Sequence, residues 1–262
     1  MQSGSRLAWL LFGCLSLAAV ATGCLIASTH GASAHVRSLN LAAWAAGLVL
    51  AVLLSRTRFE GWWPVLAPIG LVATFLFEGM AGVHRWIALG PVRLNAAELL
   101  LPATVVALAF DRRPLRLAIA VLVPLALQPD ASQAVAFAGG AIAVLTLSED
   151  RFLSAALVAA LAALSFLKPD VLAPVPEVEG IIGLASPAMA ALAVLALAGA
   201  SLAPLAAARS PAAYGLAAYL VLAALAPVVG AFPVPLVGMG VSAILGTWLG
   251  FGALMGVTRR LS

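Results

Sequence analysis

Charged side chains are scarce in this sequence of 262 residues. Only 9% of the residues are Asp, Glu, Lys or Arg, whereas a soluble globular domain has about 25%. Hydrophobic residues make up 64% of the chain, and the mean hydropathy is +1.12. A soluble fold of this length cannot bury so much apolar surface. The composition therefore excludes a soluble protein.

Cysteines and clusters of basic residues are also scarce. Cys14 and Cys24 lie ten positions apart in one apolar segment, off a common helical face, so they predict neither a disulfide nor a metal site. His30, His35 and His84 lack the spacing of metal ligands. The net charge is only +4, and the basic residues are scattered rather than patched, which excludes a nucleic-acid-binding protein.

Long apolar runs are what the chain has instead. A helix crosses the hydrocarbon core of a bilayer in about 20 residues, range roughly 17–25. Ten runs with few or no charges occur, and the second, third, fourth, fifth and seventh are short for a span. Flanking Arg side chains can extend such short spans by snorkelling. The sequence predicts an all-α, polytopic transmembrane bundle of about ten spans in one integral membrane domain, residues 1–262, with the runs at 7–28, 38–55, 61–77, 94–110, 117–128, 131–148, 152–167, 180–208, 210–230 and 235–258.

The last two runs are divided at residues 230–235, GAFPVP, because two prolines and a glycine do not continue a helix. With the N-terminus in the cytoplasm, ten basic residues fall on the inner side and four on the outer side. This distribution satisfies the positive-inside rule and places both termini in the cytoplasm. The start of the chain also imitates a lipoprotein signal peptide, with ATGC ending at Cys24, but we expect the first span to be retained.

Ionisable residues inside spans are costly, and only Glu98 clearly lies in one, a turn into the fourth span. The predicted outer loops hold more polar residues. The loop 82–98 carries Trp86 as an interfacial anchor with arginines nearby, the turn LQPD ends at Asp130, and the loop 167–180 carries Lys168 and several acids. Arginines beside carboxylates at a membrane surface can seat an anionic lipid-linked substrate and supply a base.

A simpler interpretation exists for each of these residues. An arginine next to an interfacial tryptophan, such as Arg85, often binds only lipid phosphates. Asp130 follows a proline and can serve as a helix N-cap. The acidic residues of the loop 167–180 are compatible with a solvated turn.

Four motifs in the expected order resemble the SEDS family (shape, elongation, division and sporulation) of the FtsW/RodA type. The segment 58–66 looks like the family's entry to its third span, residues 128–130 match its Gln-Pro-Asp turn, and residues 233–244 are similar to its Pro-x-Pro-Leu-x-Ser-x-Gly-Gly-Ser. The clearest match is the family's Gly-x-x-Arg-Trp-x-x-Leu-Gly-x-x-Arg followed by Glu, which stands here as Gly82, Arg85, Trp86, Leu89, Gly90, Arg93 and Glu98.

The resemblance implies a peptidoglycan-type glycosyltransferase of cell shape or cell division in the bacterial cytoplasmic membrane. Members of this family polymerise lipid-linked disaccharide-peptide units on the outer side, usually with a class B penicillin-binding transpeptidase as partner. The family's base is an Asp five residues after a proline, and the same count from Pro174 reaches Glu179. The resemblance implies Glu179 as catalytic base, Arg85 as phosphate clamp and Lys168 as a second cation for the leaving group. Substrate binding also falls to Trp86, Arg93, Glu98 and Asp130.

The chain departs from the family at several of these elements. The outer loop between spans seven and eight is shorter, the Lys one turn after the family's span-four Glu is Leu101, and Leu-Gly-Thr after Asp130 is replaced at 131–133. Gly238, Met239 and Val241 also differ from the last motif. Two alternatives therefore stand beside the enzyme: a non-catalytic scaffold that binds a transpeptidase, and a lipid-substrate transporter. No cofactor is required, and a divalent cation is compatible with the carboxylates although no ligand spacing demands one.

Overall fold

The computed structural model describes residues 3–90, 92–146, 151–168 and 170–261. The predicted end of the sixth span at residue 148 lies outside these ranges. Within them the chain forms eleven α-helices and a two-stranded antiparallel hairpin of β1 (Trp86–Leu89) and β2 (Val92–Asn95). The helices are α1 (Ser3–Thr29), α2 (Ala34–Leu54), α3 (Trp63–Ala73), α4 (Ala96–Leu108), α5 (Pro114–Leu127), α6 (Ala131–Leu145), α7 (Arg151–Leu164), α8 (Pro187–Leu202), α9 (Pro204–Ala207), α10 (Pro211–Val229) and α11 (Val241–Leu261).

The prediction of a polytopic all-α bundle is confirmed. Because α9 continues α8, the described residues contain five apolar helices long enough to cross a membrane and five shorter ones of 10–17 residues. The protein is therefore a multi-pass membrane protein. The helices α5, α8 and α10 each begin with a proline, which suits the first helical position because no N–H is needed there.

Several predicted boundaries shift for local reasons. The second span is longer than predicted: Ser33 caps α2 by accepting a hydrogen bond from the Val36 N–H at 3.3 Å. The eighth run begins too early at residue 180, because residues 180–184 form turns and the helix begins at Pro187. The predicted break at residues 230–235 is confirmed, since α10 ends at Val229 and α11 begins only at Val241.

Helix α11 packs closely between α2 and α4. A Cβ atom added at Gly252 would lie 2.5 Å from the Cα of Ala51, and one added at Gly256 would lie 3.0 Å from the Cα of Ser55. Small residues of this kind let helix backbones approach each other in a membrane, where packing contacts rather than the hydrophobic effect hold helices together. On its other side, Gly246 brings α11 against the backbone of Glu98 at the start of α4.

The two ends of the bundle carry different loops. At one end Arg259 donates a hydrogen bond to the Ser55 carbonyl at 2.9 Å, and Arg260 pairs with Glu60 at 2.7 Å. At the opposite end Asn40 of α2 donates to the Gly238 carbonyl at 3.0 Å. These contacts agree with the assignment of Arg259 and Arg260 to one side of the membrane and of Arg37, at the start of α2, to the other.

Candidate functional site

A cavity of about 560 Å³ opens at the end of the bundle that the positive-inside rule assigns to the outer side, and we call it the outer cavity. Its wall is formed by the starts of α2, α4 and α11, by the hairpin, and by parts of segments 170–179 and 231–240. Apolar side chains form much of this wall. The polar residues that line it are Asn40, Arg85, Trp86, Arg93, Asn95, Glu98, Asp170, Glu179 and Ser242.

Arg85 lies on the wall of the outer cavity, directly before the first strand of the hairpin. Sequence analysis treats this segment as a loop, whereas in the structure Trp86 pairs with Asn95, and the Ala96 N–H donates to the Arg85 carbonyl at 3.0 Å. Gly82 and Gly90 have φ angles of 80° and 61° in the adjoining turns, which glycine adopts without strain. These turns and pairings fix the direction in which Arg85 enters the protein.

Arg85 is buried and is surrounded by carboxylates. Its Nη2 donates to the Pro129 carbonyl at 3.0 Å and forms an ion pair with Asp170. Burial alone lowers the pKa of Arg85, but the charges of Asp130, Asp170 and Glu98 outweigh that effect and raise the pKa above its usual value. Arg85 therefore stays positively charged at every pH at which the protein can be assayed.

Trp86 and Arg93 complete the cationic side of the outer cavity. The guanidinium carbon of Arg85 lies 5.6 Å from the ring centroid of Trp86, within cation–π range. Arg93, on β2, is exposed and lines the same wall. The structure thus brings two arginines and an aromatic ring to one opening, an arrangement that can bind an anionic group.

Glu98 lies closer to the helix start than the sequence predicts. It is the third residue of α4 rather than one turn into a span from residue 94, because Leu94 and Asn95 belong to β2. Its side chain is buried and lines the outer cavity, and its backbone carbonyl lies against Gly246 of α11, where an added Cβ atom would overlap the carbonyl oxygen. Glu98 is therefore held between α4 and the start of α11.

Asn95 is a site residue that sequence analysis missed. Its Oδ1 accepts hydrogen bonds from the N–H groups of Ala97 and Glu98 at 2.9 and 3.3 Å, so it caps α4. Its own N–H donates to Ser242 Oγ at 2.9 Å. An Asn directly before an apolar run is a known signal for a helix start, and it was available in the sequence.

Asp130 occupies the N-cap position of α6, but its side chain makes no capping hydrogen bond. The simpler interpretation of Asp130 as a helix cap is therefore wrong. Instead its carboxylate accepts hydrogen bonds from Asn95 Nδ2 at 3.4 Å and from Ser132 Oγ at 3.3 Å. Asp130 is buried behind the cavity wall, where its charge acts on Arg85.

Glu179 lies on the outer cavity and Lys168 does not. Glu179 is half-buried, and its Oε2 accepts a hydrogen bond from the Val175 N–H at 2.7 Å, which holds the carboxylate at the cavity wall. Lys168 is exposed and donates to the Leu127 carbonyl at 3.1 Å. The structure thus brings Glu179 to the same opening as Arg85 and leaves Lys168 outside it.

The segment after α10 holds the turn that carries Glu179. The Val234 N–H donates to the Val178 carbonyl at 3.1 Å, and the Met239 N–H donates to the Glu177 carbonyl at 2.9 Å. A Cβ atom at Gly238 would lie 2.7 Å from the Val178 oxygen, so only glycine permits this approach. The departure from the family motif at Gly238 therefore has a structural role in this chain.

The described residues contain no group of three or more His, Cys, Asp or Glu side chains arranged to hold a metal ion. Cys14 and Cys24 are both free, as their spacing predicts. A divalent cation among the outer carboxylates stays a prediction.

No protein family model and no curated protein matches the chain. Among solved structures, it is similar to the rod shape determining protein RodA of Thermus thermophilus, with a TM-score of 0.69 and 23% identity over 96% of both chains. A mutant of the same protein gives a TM-score of 0.68 and 23% identity over 96% of this chain and 97% of that one.

A third similar structure comes from work on the structural coordination of polymerization and crosslinking by a peptidoglycan synthase complex. The TM-score is 0.70 at 21% identity, over 96% of this chain and 97% of that one. Identities this low show the fold alone. The chain has the RodA fold, and the resemblance to SEDS proteins that its motifs indicate is confirmed at the level of the fold.

Proposed function

We propose that this chain with the RodA fold is a SEDS-like glycosyltransferase that polymerises lipid-linked sugar precursors on the outer side of the bacterial cytoplasmic membrane. The observation that carries the proposal is the outer cavity, in which Arg85, Arg93 and Glu179 face one opening although they belong to two loops far apart in sequence. The peptidoglycan-type substrate and the role in cell shape are parts of the proposal that rest on the likeness to RodA.

In the proposed reaction Glu179 acts as the base, and Arg85 and Arg93 stabilise the leaving group. Glu179 takes the proton from an acceptor sugar hydroxyl, whose oxygen attacks the anomeric carbon of the donor. The bond from that carbon to the lipid diphosphate breaks, and the diphosphate leaves with the electron pair. Arg85 and Arg93 supply the positive charge that stabilises the departing anion. Glu98 and Trp86 line the same space and contact the bound sugar or diphosphate.

Polymer synthesis by the purified protein tests this function. The wild-type protein in phospholipid vesicles, supplied with a lipid-linked disaccharide-peptide, is expected to form glycan chains, which gel electrophoresis resolves by length. The Glu179→Gln variant is expected to form none. Glu177→Gln is the matched control, because Glu177 carries the same charge two residues away and does not line the outer cavity. Full polymer synthesis by Glu179→Gln would overturn the assignment of the base.

A non-catalytic scaffold is a second candidate, and one observation favours it. The family's Lys after the span-four Glu is Leu101 here, and Leu101 is fully buried in the core, so no cation replaces that Lys at this position. A scaffold is expected to co-purify with a class B penicillin-binding transpeptidase, and the complex is expected to survive both Glu179→Gln and Arg85→Ala. Polymer synthesis by the chain alone would reject the scaffold.

A further inference from the structure

Arg85 is held by two different kinds of partner. The Pro129 carbonyl and the Asp130 carboxylate are buried and belong to the start of α6. Asp170 comes from the segment between α7 and α8, its side chain is 31% exposed, and its pairing with Arg85 spans 85 residues of sequence. Asp170 can therefore move away from Arg85 without the loss of packing contacts between helices.

The carboxylates around Arg85 oppose the binding of an anion in the arrangement that the structure shows. One guanidinium faces the carboxylates of Asp130, Asp170 and Glu98. A diphosphate that reached Arg85 with Asp170 still paired to it would be repelled by that carboxylate, because like charges at a partly buried site repel strongly. At least one carboxylate has to move away before such an anion binds.

Asp170 is the carboxylate that is free to move. Asp130 and Glu98 are 3% and 9% exposed, Asn95 donates to the Asp130 carboxylate, and Glu98 lies in the first turn of α4. Apart from Arg85, Asp170 is held by the Leu172 N–H, which donates to its Oδ1 at 3.1 Å within the same turn. Hydrogen bonds hold residues 175–179 of the same loop, but residues 170–174 make no backbone–backbone hydrogen bond with any described residue, so a rearrangement of that part breaks few hydrogen bonds.

We propose that Asp170 occupies the position on Arg85 that the diphosphate of the substrate takes, and that the substrate displaces it. This inference rests on the proposed function, since it concerns the anionic group of the same lipid-linked donor. Only 7% of the surface of Arg85 is exposed, and its Nε has no hydrogen-bond partner among the described residues. When the carboxylate leaves, Nη2 loses its ion-pair partner and becomes available to a phosphate oxygen.

Asp170 then sets the affinity of the outer cavity for its substrate. The carboxylate keeps Arg85 ordered when the cavity is empty and competes with any anion that enters. A neutral lipid gains nothing from Arg85 and does not displace Asp170. The pair therefore favours lipids that carry a strongly charged headgroup.

Lipid binding by the whole protein tests the inference. The wild-type protein, Asp170→Asn and Glu177→Gln are placed in nanodiscs and titrated with polyprenyl diphosphate and with uncharged polyprenol. Asp170→Asn is expected to bind the diphosphate on the order of tenfold more tightly than wild type, because a competing charge is gone. Glu177→Gln is expected to bind as wild type does, and the affinity for polyprenol is expected to be equal in all three.

The outcomes separate this inference from the proposed function. Binding of the diphosphate by the wild type, with equal or weaker binding by Asp170→Asn, overturns the displacement and leaves the proposed function standing. No binding of the diphosphate by any of the three proteins rejects both.

A second measurement keeps the inference testable if Asp170→Asn does not fold. Leu172→Cys is made in a chain with Cys14 and Cys24 replaced by Ser, and the rate of maleimide labelling is followed. The diphosphate is expected to accelerate labelling, because the turn that holds Asp170 leaves the wall, whereas polyprenol is expected to have no effect. An unchanged labelling rate under saturating diphosphate would contradict the displacement.

Discussion

The side chain of Asn95 donates a hydrogen bond to the buried carboxylate of Asp130, with an Nδ2–Oδ2 distance of 3.4 Å. The Oδ1 of the same side chain caps α4, the helix that begins at Ala96 and has Glu98 as its third residue. One amide thus connects the hairpin, the start of α4 and the start of α6. We infer that this connection keeps Glu98 and Asp130 at fixed distances from Arg85.

Replacing Asn95 with Ala is expected to lower both stability and polymer synthesis. Loss of the cap costs about 0.5–2 kcal/mol, and Asp130 loses a donor. Ser33→Ala is the matched control, because Ser33 caps α2 and is not one of the residues that line the outer cavity. Thermal unfolding in detergent is expected to report a loss of stability for both variants, larger for Asn95→Ala because Asp130 also loses its donor, and polymer synthesis is expected to fall only in Asn95→Ala. Equal activities in the two variants would show that Asn95 acts through helix stability alone.

The ion pair of Arg85 and Asp170 predicts a non-additive pair of substitutions. Arg85→Ala leaves Asp130 and Asp170 without their shared cation and is expected to destabilise the protein by on the order of 2 kcal/mol, since half-broken buried pairs are costly. The double variant Arg85→Ala/Asp170→Ala is expected to be more stable than Arg85→Ala alone. Thermal unfolding of both variants and of Asp170→Ala completes the cycle. Additive changes would mean that the two side chains do not interact in the membrane.

The close packing of α11 against α4 predicts that one methyl group added at Gly246 destabilises the protein. A Cβ atom at Gly246 would overlap the backbone of Glu98, whereas a Cβ atom at Gly13 would lie at an ordinary 3.8 Å from Trp248. Gly246→Ala is therefore expected to cost about 1–3 kcal/mol and to displace the start of α4, and Gly13→Ala is expected to change little. Unfolding temperatures of the two variants measure this difference. Equal unfolding temperatures would mean that α11 does not contact α4 as described.

Much of the fold can be predicted from the sequence, because a chain that crosses a bilayer needs long apolar helices with breaks between them. Apolar runs predict the spans, and the prolines of segment 230–235 predict the break that the structure has between α10 and α11. The hairpin does not follow from the sequence. Its strands have only four residues each, and they are held by contacts of Asn95 with α4, α6 and α11 that no local pattern reports.

The candidate site is predictable only in part, for a related reason. Motif resemblance points to Arg85 and Glu179, and the structure places both on the outer cavity. It does not point to Asp170, because an ion pair across 85 residues between a loop and a hairpin has no spacing rule. The same resemblance also implies a role for Lys168 at the site. In the structure, however, Lys168 donates to the Leu127 carbonyl and does not line the outer cavity.

The most direct test of the central claim is the dependence of polymer synthesis on the concentration of the lipid-linked precursor. A base acts only in the transition state, so Glu179→Gln is expected to lower kcat by roughly 100-fold or more with little change in KM. Arg85→Lys is expected to raise KM as well, because a single ammonium does not reproduce the geometry of a guanidinium. An unchanged kcat in Glu179→Gln would contradict the claim that Glu179 of the outer cavity is the base in glycosidic-bond formation.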